Sequence, residues 1–332
     1  MLKIQLLKPI NGVITTPLQL HSWPDGHKPE GDIIDRSQPR PIEFAWQVDS
    51  SRVDVDSYTV VIGDDAQLKE TQRWEGLHTP YLKVTNLYIG KRYFWKVTGQ
   101  RDGKSIAESK TWSFITHSEP PRWIHIPEIT NVRDIGGWPL TGGGRIRQGL
   151  VFRSSEMNSH LSLTDEGRRI LEQDFKIRTD IDLRGDDEVR EPALDLKQVD
   201  YINFPIQPYA HINEAVYQTD YRRLFQLLAD PLSYPLIIHC WGGADRAGTV
   251  IFLLEALLGM EGELLIRDYE LTSLSIWGER DHISDEFQEF LEILKGFVHP
   301  GADLRTQIEG YLLSIGVSTN EIAAIRSTLI EL

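Results

Sequence analysis

The chain has 332 residues, 35 of them Lys or Arg and 49 Asp or Glu, for a formal charge of −14 at neutral pH. No basic stripe interrupts that acidity, so nucleic acid is excluded as a partner, because binding to a phosphate backbone needs clustered cations. The length suits two domains, and no apolar run reaches the roughly 20 residues of a membrane span.

The opening, Met1 to Pro9, is too short and broken for a signal peptide, so a cytoplasmic location is expected, or a secreted one if a leader was removed. Residues 1–117 read as all-β. Alternating runs recur at Ile42–Trp46, Tyr58–Ile62, Tyr81–Val84, Tyr93–Val97 and Lys110–Phe114, with turn signals at Gly63-Asp64-Asp65, Gly90-Lys91 and Asp102-Gly103. Segment 21–40, rich in Pro, Gly, His and Asp, is expected as a long exposed loop. The stretch from Asn86 to Tyr93 resembles the approach to the late central strand of a fibronectin type III domain, which implies a tyrosine corner at Tyr93.

Ser118-Glu119-Pro120-Pro121 marks a linker, taken as 118–127. From residue 128 to 332 strands and helices alternate. Strands are expected over Ile177–Leu183 and Pro235–His239, and helices over Asp165–Gln173, Tyr221–Leu228, Gly248–Leu258 and Asp285–Leu294. The helix at 248–258 is apolar on nearly every side and so should be buried, with Gly259 ending it. Ser318 to Glu321 forms a capping box for a last helix. The fold class that follows is α/β, a parallel sheet with helices on both faces, preceded by an all-β sandwich.

The only cysteine, Cys240, lies between the apolar run Pro235–Ile238 and the buried helix, in His239-Cys240-Trp241-Gly242-Gly243-Ala244-Asp245-Arg246-Ala247-Gly248. A lone cysteine excludes intrachain disulfides and mechanisms needing a second thiol. A loop of small residues between strand and helix can cradle a phosphate dianion: backbone N–H groups meet its oxygens, the helix presents its positive end, and Arg246 binds two oxygens. The same field favours a Cys240 thiolate, the form that attacks phosphorus. Cys240, Asp245 and Arg246 are therefore the candidate catalytic residues. Trp241, Gly242, Gly243, Ala244, Ala247 and Gly248 are the candidate substrate-binding ones.

This loop resembles that of the cysteine-dependent protein tyrosine phosphatases, and more narrowly a bacterial branch acting on phosphotyrosine and phosphoinositides. Asn131–Gly137, Gly149–Glu156 with Leu161, Ile181–Arg184 with Glu188, Asp268-Tyr269, and Tyr311-Leu312 with Gly316-Val317 resemble further blocks of that branch, in order. The resemblance implies that His239 supports the loop from behind by hydrogen bonding to its backbone. Arg133, Asp134 and Arg184 are supporting candidates. Two positions depart from the branch. Ala247 stands where a Ser or Thr hydroxyl helps the thiolate leave, and Thr249 points elsewhere. Ala244 stands where phosphoinositide-preferring relatives carry Lys, leaving Arg246 as the loop's one cation and favouring a single aryl or alkyl phosphate.

Expelling the leaving oxygen calls for a proton donor. The branch places it inside the loop, which points to Asp245. Trp23-Pro24-Asp25 spells the acid loop of larger tyrosine phosphatases but falls within the β-rich region, and the segment after Phe204-Pro205 continues Ile206-Gln207-Pro208-Tyr209 without an acid. Trp241 is expected at the pocket rim, against an aryl group. Histidines lack metal-ligand spacing, so neither a metal nor a cofactor is expected. The expected reaction is phosphomonoester hydrolysis through a cysteinyl-phosphate, with a phosphorylated protein or small phosphomonoester as substrate. The alternatives are a phosphoinositide or phosphoserine/threonine phosphatase of the same fold, a phosphate-binding pseudophosphatase weakened by Ala247, and a rhodanese-type sulfurtransferase, which the blocks at 131–137 and 150–156 disfavour. Composition and pattern give no oligomeric state.

Overall fold

A computed structural model of the chain describes residues 2–21, 34–48, 54–188 and 191–332. Trp23-Pro24-Asp25 lies outside the described residues. The chain divides into two compact units, one of residues 1–19 and 39–120, the other of 20–38 and 121–332.

The first unit is all-β. Its strands are β1 (Leu2–Lys8), β2 (Val13–Ile14), β3 (Ile42–Val48), β4 (Ser57–Gly63), β5 (Thr71–Leu77), β6 (Tyr81–Val84), β7 (Arg92–Arg101), β8 (Lys104–Ser109) and β9 (Trp112–Ile115). β1 pairs antiparallel with β3, and β3 with β6. β7 pairs antiparallel with β4, β8 and β9. A parallel pairing of β1 with β8 joins the two sets. Alternation in β3 and β7 turns Phe44, Trp46, Trp95 and Val97 inward, where Phe44 meets Trp95 edge-on at 4.9 Å. Tyr93 Oη accepts from Tyr88 N at 3.0 Å, the bond of a tyrosine corner.

In the second unit, β10 (Arg122–Trp123), β11 (Arg133–Asp134), β13 (Val151–Ser154), β16 (Leu236–His239), β14 (Thr179–Asp182) and β15 (Asp200–Asn203) form one sheet in that spatial order, while β12 (Arg145–Ile146) pairs with β17 (Ile330–Glu331). The inner strands run parallel: β16 lies between β13 and β14, with Ser154, His239 and Asp182 in register. The helices are α1 (Asp165–Arg169), α2 (Ala215–Leu228), α3 (Asp245–Leu258), α4 (Gly262–Glu270), α5 (Asp285–Lys295), α6 (Leu304–Ser314) and α7 (Thr319–Leu329). Strand alternation feeds a core on each face. Leu236 and Ile238 join α2, α3 and the later helices, whereas Ile237 joins Phe152, Ile170 and Leu171.

α3 is buried at every position from Ala247 to Leu258, and Gly259 ends it in the left-handed conformation at φ 101°. The capping box at Ser318 and Glu321 forms as expected. Two expectations change. Arg122 and Trp123 pair with Asp134 and Arg133, so the sheet begins inside the segment read as linker. Of the expected exposed loop, Asp35 to Pro39 are partly or fully buried: Arg36 N donates to Leu274 O at 2.7 Å, and Asn131 N to Ser37 Oγ at 3.0 Å.

Candidate active site

β16 ends at His239, and residues 240–244 cross from it to the start of α3. Cys240 is a free thiol, 2% exposed. The carbonyls after it are tied backwards into the protein. Trp241 O accepts from Glu156 N at 2.8 Å, Gly242 O from Asn131 Nδ2 at 3.1 Å, and Gly243 O from Asn131 Nδ2 at 3.2 Å and Arg153 Nη2 at 2.6 Å. In a planar trans peptide the N–H points opposite to the C=O. The N–H groups of Gly242, Gly243 and Ala244 therefore point away from these donors. No backbone N–H from Trp241 to Arg246 has an acceptor among the described residues.

The small residues are needed for this path. Gly243 sits at φ +64°, and a Cβ there would lie 2.3 Å from Ser154 O. A Cβ on Gly242 would lie 2.8 Å from the ring of Trp277, which donates Nε1–H to Thr130 Oγ1 at 2.9 Å. Gly248 is different, since its Cβ would make only ordinary contact with Arg153 at 3.5 Å. Ala244 and Ala247 are buried. Thr249 Oγ1 accepts from Tyr209 N at 3.1 Å.

Arg246 is held by Glu188: Nη2 donates to Oε1 at 2.8 Å and Nη1 to Oε2. Burial lowers the Arg246 pKa, but Glu188 and Cys240 outweigh it and raise it, so the guanidinium stays charged. Glu188 was legible only as part of a family block. Its bidentate hold on the loop arginine is a structural finding.

Asp245 lies on the first turn of α3. Its Oδ1 accepts from Arg280 Nε at 2.7 Å and from Tyr209 Oη at 2.7 Å, and its Oδ2 from Arg280 Nη2 at 2.9 Å. Burial pushes this carboxyl up, but Arg280 and Tyr209 prevail and hold it below the ordinary aspartate value. Tyr209 Oη also meets Tyr269 Oη at 2.8 Å. Burial pushes the Tyr269 hydroxyl up to about 12, so it remains a donor. The segment dismissed for lacking an acid thus supplies Tyr209.

Beneath the loop lies a charged cluster closed to solvent. Arg133 donates Nε and Nη2 to the Asp268 carboxylate, both at 3.1 Å, and Nη1 to Asn131 Oδ1 at 2.6 Å, fixing the amide that holds the loop carbonyls. Burial and the adjacent Arg133 draw Arg153 down to about 10. Burial, reinforced by Asp268, raises the Glu255 carboxyl well above its ordinary value. Arg184 bonds Asp182 and Asn158 and faces Glu156. Two supporting candidates behave otherwise than expected. His239 does not reach the loop backbone with its ring, which faces Asp180 at 3.0 Å and Asp182 at 3.9 Å; burial lowers its pKa, but Asp180 outweighs this and raises it. Asp134 pairs with Arg122 and accepts from Gly136 N and Gly149 N, pinning a turn rather than the loop.

Trp241 is 36% exposed and its ring lies 4.3 Å from that of His160, whose backbone N–H donates to Glu156 Oε1 at 2.8 Å. Glu270, Asp281 and His282 bring potential ligand atoms within 4.8 Å of one another, a grouping not suggested by spacing; His282 Nδ1 already contacts Glu270 Oε1 at 2.6 Å.

The sequence profile of the tyrosine phosphatase family matches residues 124–331, a span that contains the loop and the side chains that hold it. The chain belongs to the tyrosine phosphatase family. Its α/β unit is thus that of a phosphatase, a hydrolase of phosphate esters. Among solved structures, the phosphatase is similar to the core catalytic domain of the PP-IP phosphatase SIW14 from S. cerevisiae in complex with citrate, at 17% identity over 47% of this chain and 86% of that one, TM-score 0.33. It is similar to a putative phosphatase from Shewanella putrefaciens CN-32, at 16% identity over 46% and 91%, TM-score 0.31. It is also similar to a fibronectin type III domain derived from human KIAA0970 protein, at 20% identity over 28% and 76%, TM-score 0.22. No curated protein matches the phosphatase. No helix among the described residues is long and apolar enough to cross a membrane.

Proposed function

We propose that the phosphatase hydrolyses phosphotyrosine in proteins through a cysteinyl-phosphate on Cys240. The observation that carries this reading is the loop itself: unpaired N–H groups from Trp241 to Arg246, backed by carbonyls tied into the protein. Such a ring of fixed donors suits the equatorial oxygens of a phosphoryl group in transfer. In the first step the Sγ–P bond forms, the P–O bond to the leaving group breaks, and the Asp245 proton goes to the leaving oxygen. In the second, water attacks phosphorus, the Sγ–P bond breaks, and Asp245 takes the water proton. Arg246, braced by Glu188, offers two donors to the oxygens.

The aryl preference rests on Trp241, 36% exposed beside the tilted His160 ring and able to pack on a tyrosyl ring. With Ala at 244, Arg246 is the one cation within the loop, which matches one phosphate better than a multiply phosphorylated ring. A phosphate-binding protein without turnover is the second reading, favoured by Ala247 and by the charge-paired state of Asp245. We read the first unit as fibronectin type III-like, on its tyrosine corner.

The test is phosphate release from phosphotyrosine peptide, phosphoserine peptide and phosphoinositide by the full chain and by Cys240→Ser. The phosphotyrosine peptide should be the best substrate, and Cys240→Ser should release nothing while melting at the same temperature. Turnover retained in Cys240→Ser would overturn the nucleophile assignment, and tight phosphopeptide binding without release would favour the second reading.

A further inference from the structure

Arg280 reaches the loop from a segment that carries none of the residues read as catalytic, and it is built in at both ends. Its backbone N donates to Ser273 Oγ at 2.8 Å, and Ser273 Oγ donates back to Arg280 O at 3.2 Å. Its Nη1 is committed to the carbonyls of Trp277 and Glu279, at 3.2 and 3.0 Å. What remains, Nε and Nη2, makes the fork that grips both oxygens of Asp245. A guanidinium held this way has one orientation, and a bidentate pair fixes the partner's orientation too.

We propose that Arg280 is a positioning residue that fixes the rotamer of Asp245 and sets the pH range in which this side chain can donate a proton. The inference rests on the reading of Asp245 as the acid. The groups facing Asp245 are Arg280, the Tyr209 hydroxyl with Tyr269 behind it, and Arg246 on its own helix. Cations and donors predominate, and the net effect holds the carboxylate ionised. An acid works only while protonated, so its contribution is lost as pH rises through this lowered value. The phosphatase should therefore act on poor leaving groups best at acid pH, and Arg280 should be the reason.

The experiment compares pH profiles of kcat/KM, which reports the step that expels the leaving group, for wild type, Arg280→Gln and Asp245→Asn on phenyl phosphate and on p-nitrophenyl phosphate, whose leaving oxygen needs no proton. Removing an opposite charge at this range moves a carboxyl by about one pH unit or more. In Arg280→Gln the alkaline limb on phenyl phosphate should move upward by that amount, leaving about a fivefold advantage over wild type one unit above the original limb and approaching tenfold at higher pH. The p-nitrophenyl phosphate profile should stay in place. In Asp245→Asn the limb should vanish, and adding Arg280→Gln should change nothing more. Tyr209→Phe removes one donor and should move the limb the same way by less, which serves if Arg280→Gln fails to fold. A limb that stays put in both variants overturns the proposal, as does an equal loss on both substrates, which would mark Arg280 as structural. If Asp245→Asn itself affects both substrates equally, the acid reading falls and this proposal with it. Loss of turnover only in Cys240→Ser bears on the nucleophile alone.

Discussion

Ala247 is the position at which a small change should speak most directly about the chemistry. It is fully buried and packed in the core, so Thr would add two heavy atoms to a filled site, whereas Ser adds one. With no hydroxyl at 247, breakdown of the cysteinyl-phosphate should lag its formation. A rapid-mix assay with p-nitrophenyl phosphate should show a burst of about one nitrophenolate per site. Ala247→Ser should shrink the burst and raise the steady rate, leaving the burst rate nearly unchanged. Linear release from the first turnover would instead mean that another group assists that step. At this scale the sequence was informative where chemistry imposes spacing: a cysteine, a run of small residues and an arginine must follow one another to make one loop. Arg280, Tyr209 and Trp277 escaped because nothing in local spacing ties them to residues 35, 36 and 35 positions away. The only signal available for Tyr209 was its place in the segment where relatives carry their acid.

At the scale of elements, the loop depends on Asn131, which sits at φ 55°, a conformation that asparagine tolerates better than most residues. Its amide nitrogen holds two loop carbonyls and its oxygen accepts from Arg133. Asn131→Asp keeps the shape and the bond to Arg133 but turns an acceptor toward acceptors. Gly243 O keeps its bond from Arg153, but leaving the buried Gly242 carbonyl unpaired costs about 1–3 kcal/mol. Much of that should fall on the productive loop path, lowering kcat/KM by roughly tenfold to a hundredfold. Steady-state kinetics with a melting curve would check it, and an unchanged kcat/KM would mean the loop holds its path without this tie. α3 and α7 were legible because each carries its own punctuation: Ser318 caps α7, and Gly259 closes α3. The two-residue strands β10 and β11 were not, since a pair that short has no alternation to read and owes its place to partners elsewhere. α2 was expected from Tyr221 but begins at Ala215, because its first turn lies on the surface and carries no apolar stripe.

At the scale of the whole molecule, the phosphatase unit is not a continuous stretch of chain. Asp35 to Gln38 precede the third strand of the β unit in sequence, yet pack on the phosphatase unit, where Ser37 Oγ takes the backbone N–H of Asn131. Composition misled here: residues typical of exposed loops can also bury a turn when each polar group finds a partner, as Ser37 does with Asp35. Ser37→Ala should strand that buried N–H and lower stability by about 1–3 kcal/mol. It should show as a lower melting temperature of the phosphatase unit and a raised KM. No change in either quantity would mean that water replaces the hydroxyl.

The contact between Gly242 and Trp277 has an evolutionary consequence. The glycine is not demanded by its backbone angle, as Gly243 is; it is demanded by an indole ring 35 positions later, 2.8 Å from where a Cβ would stand. A side chain at 242 becomes admissible once the ring is gone, and the ring becomes admissible only while 242 is bare. The two positions should therefore drift as one character among descendants of this chain: Gly with Trp, or a larger residue with a smaller one, and rarely the mixed states between. An ancestor that acquired the indole would have closed off the loop's second position to every other residue, and so narrowed the routes by which its substrate range could later change.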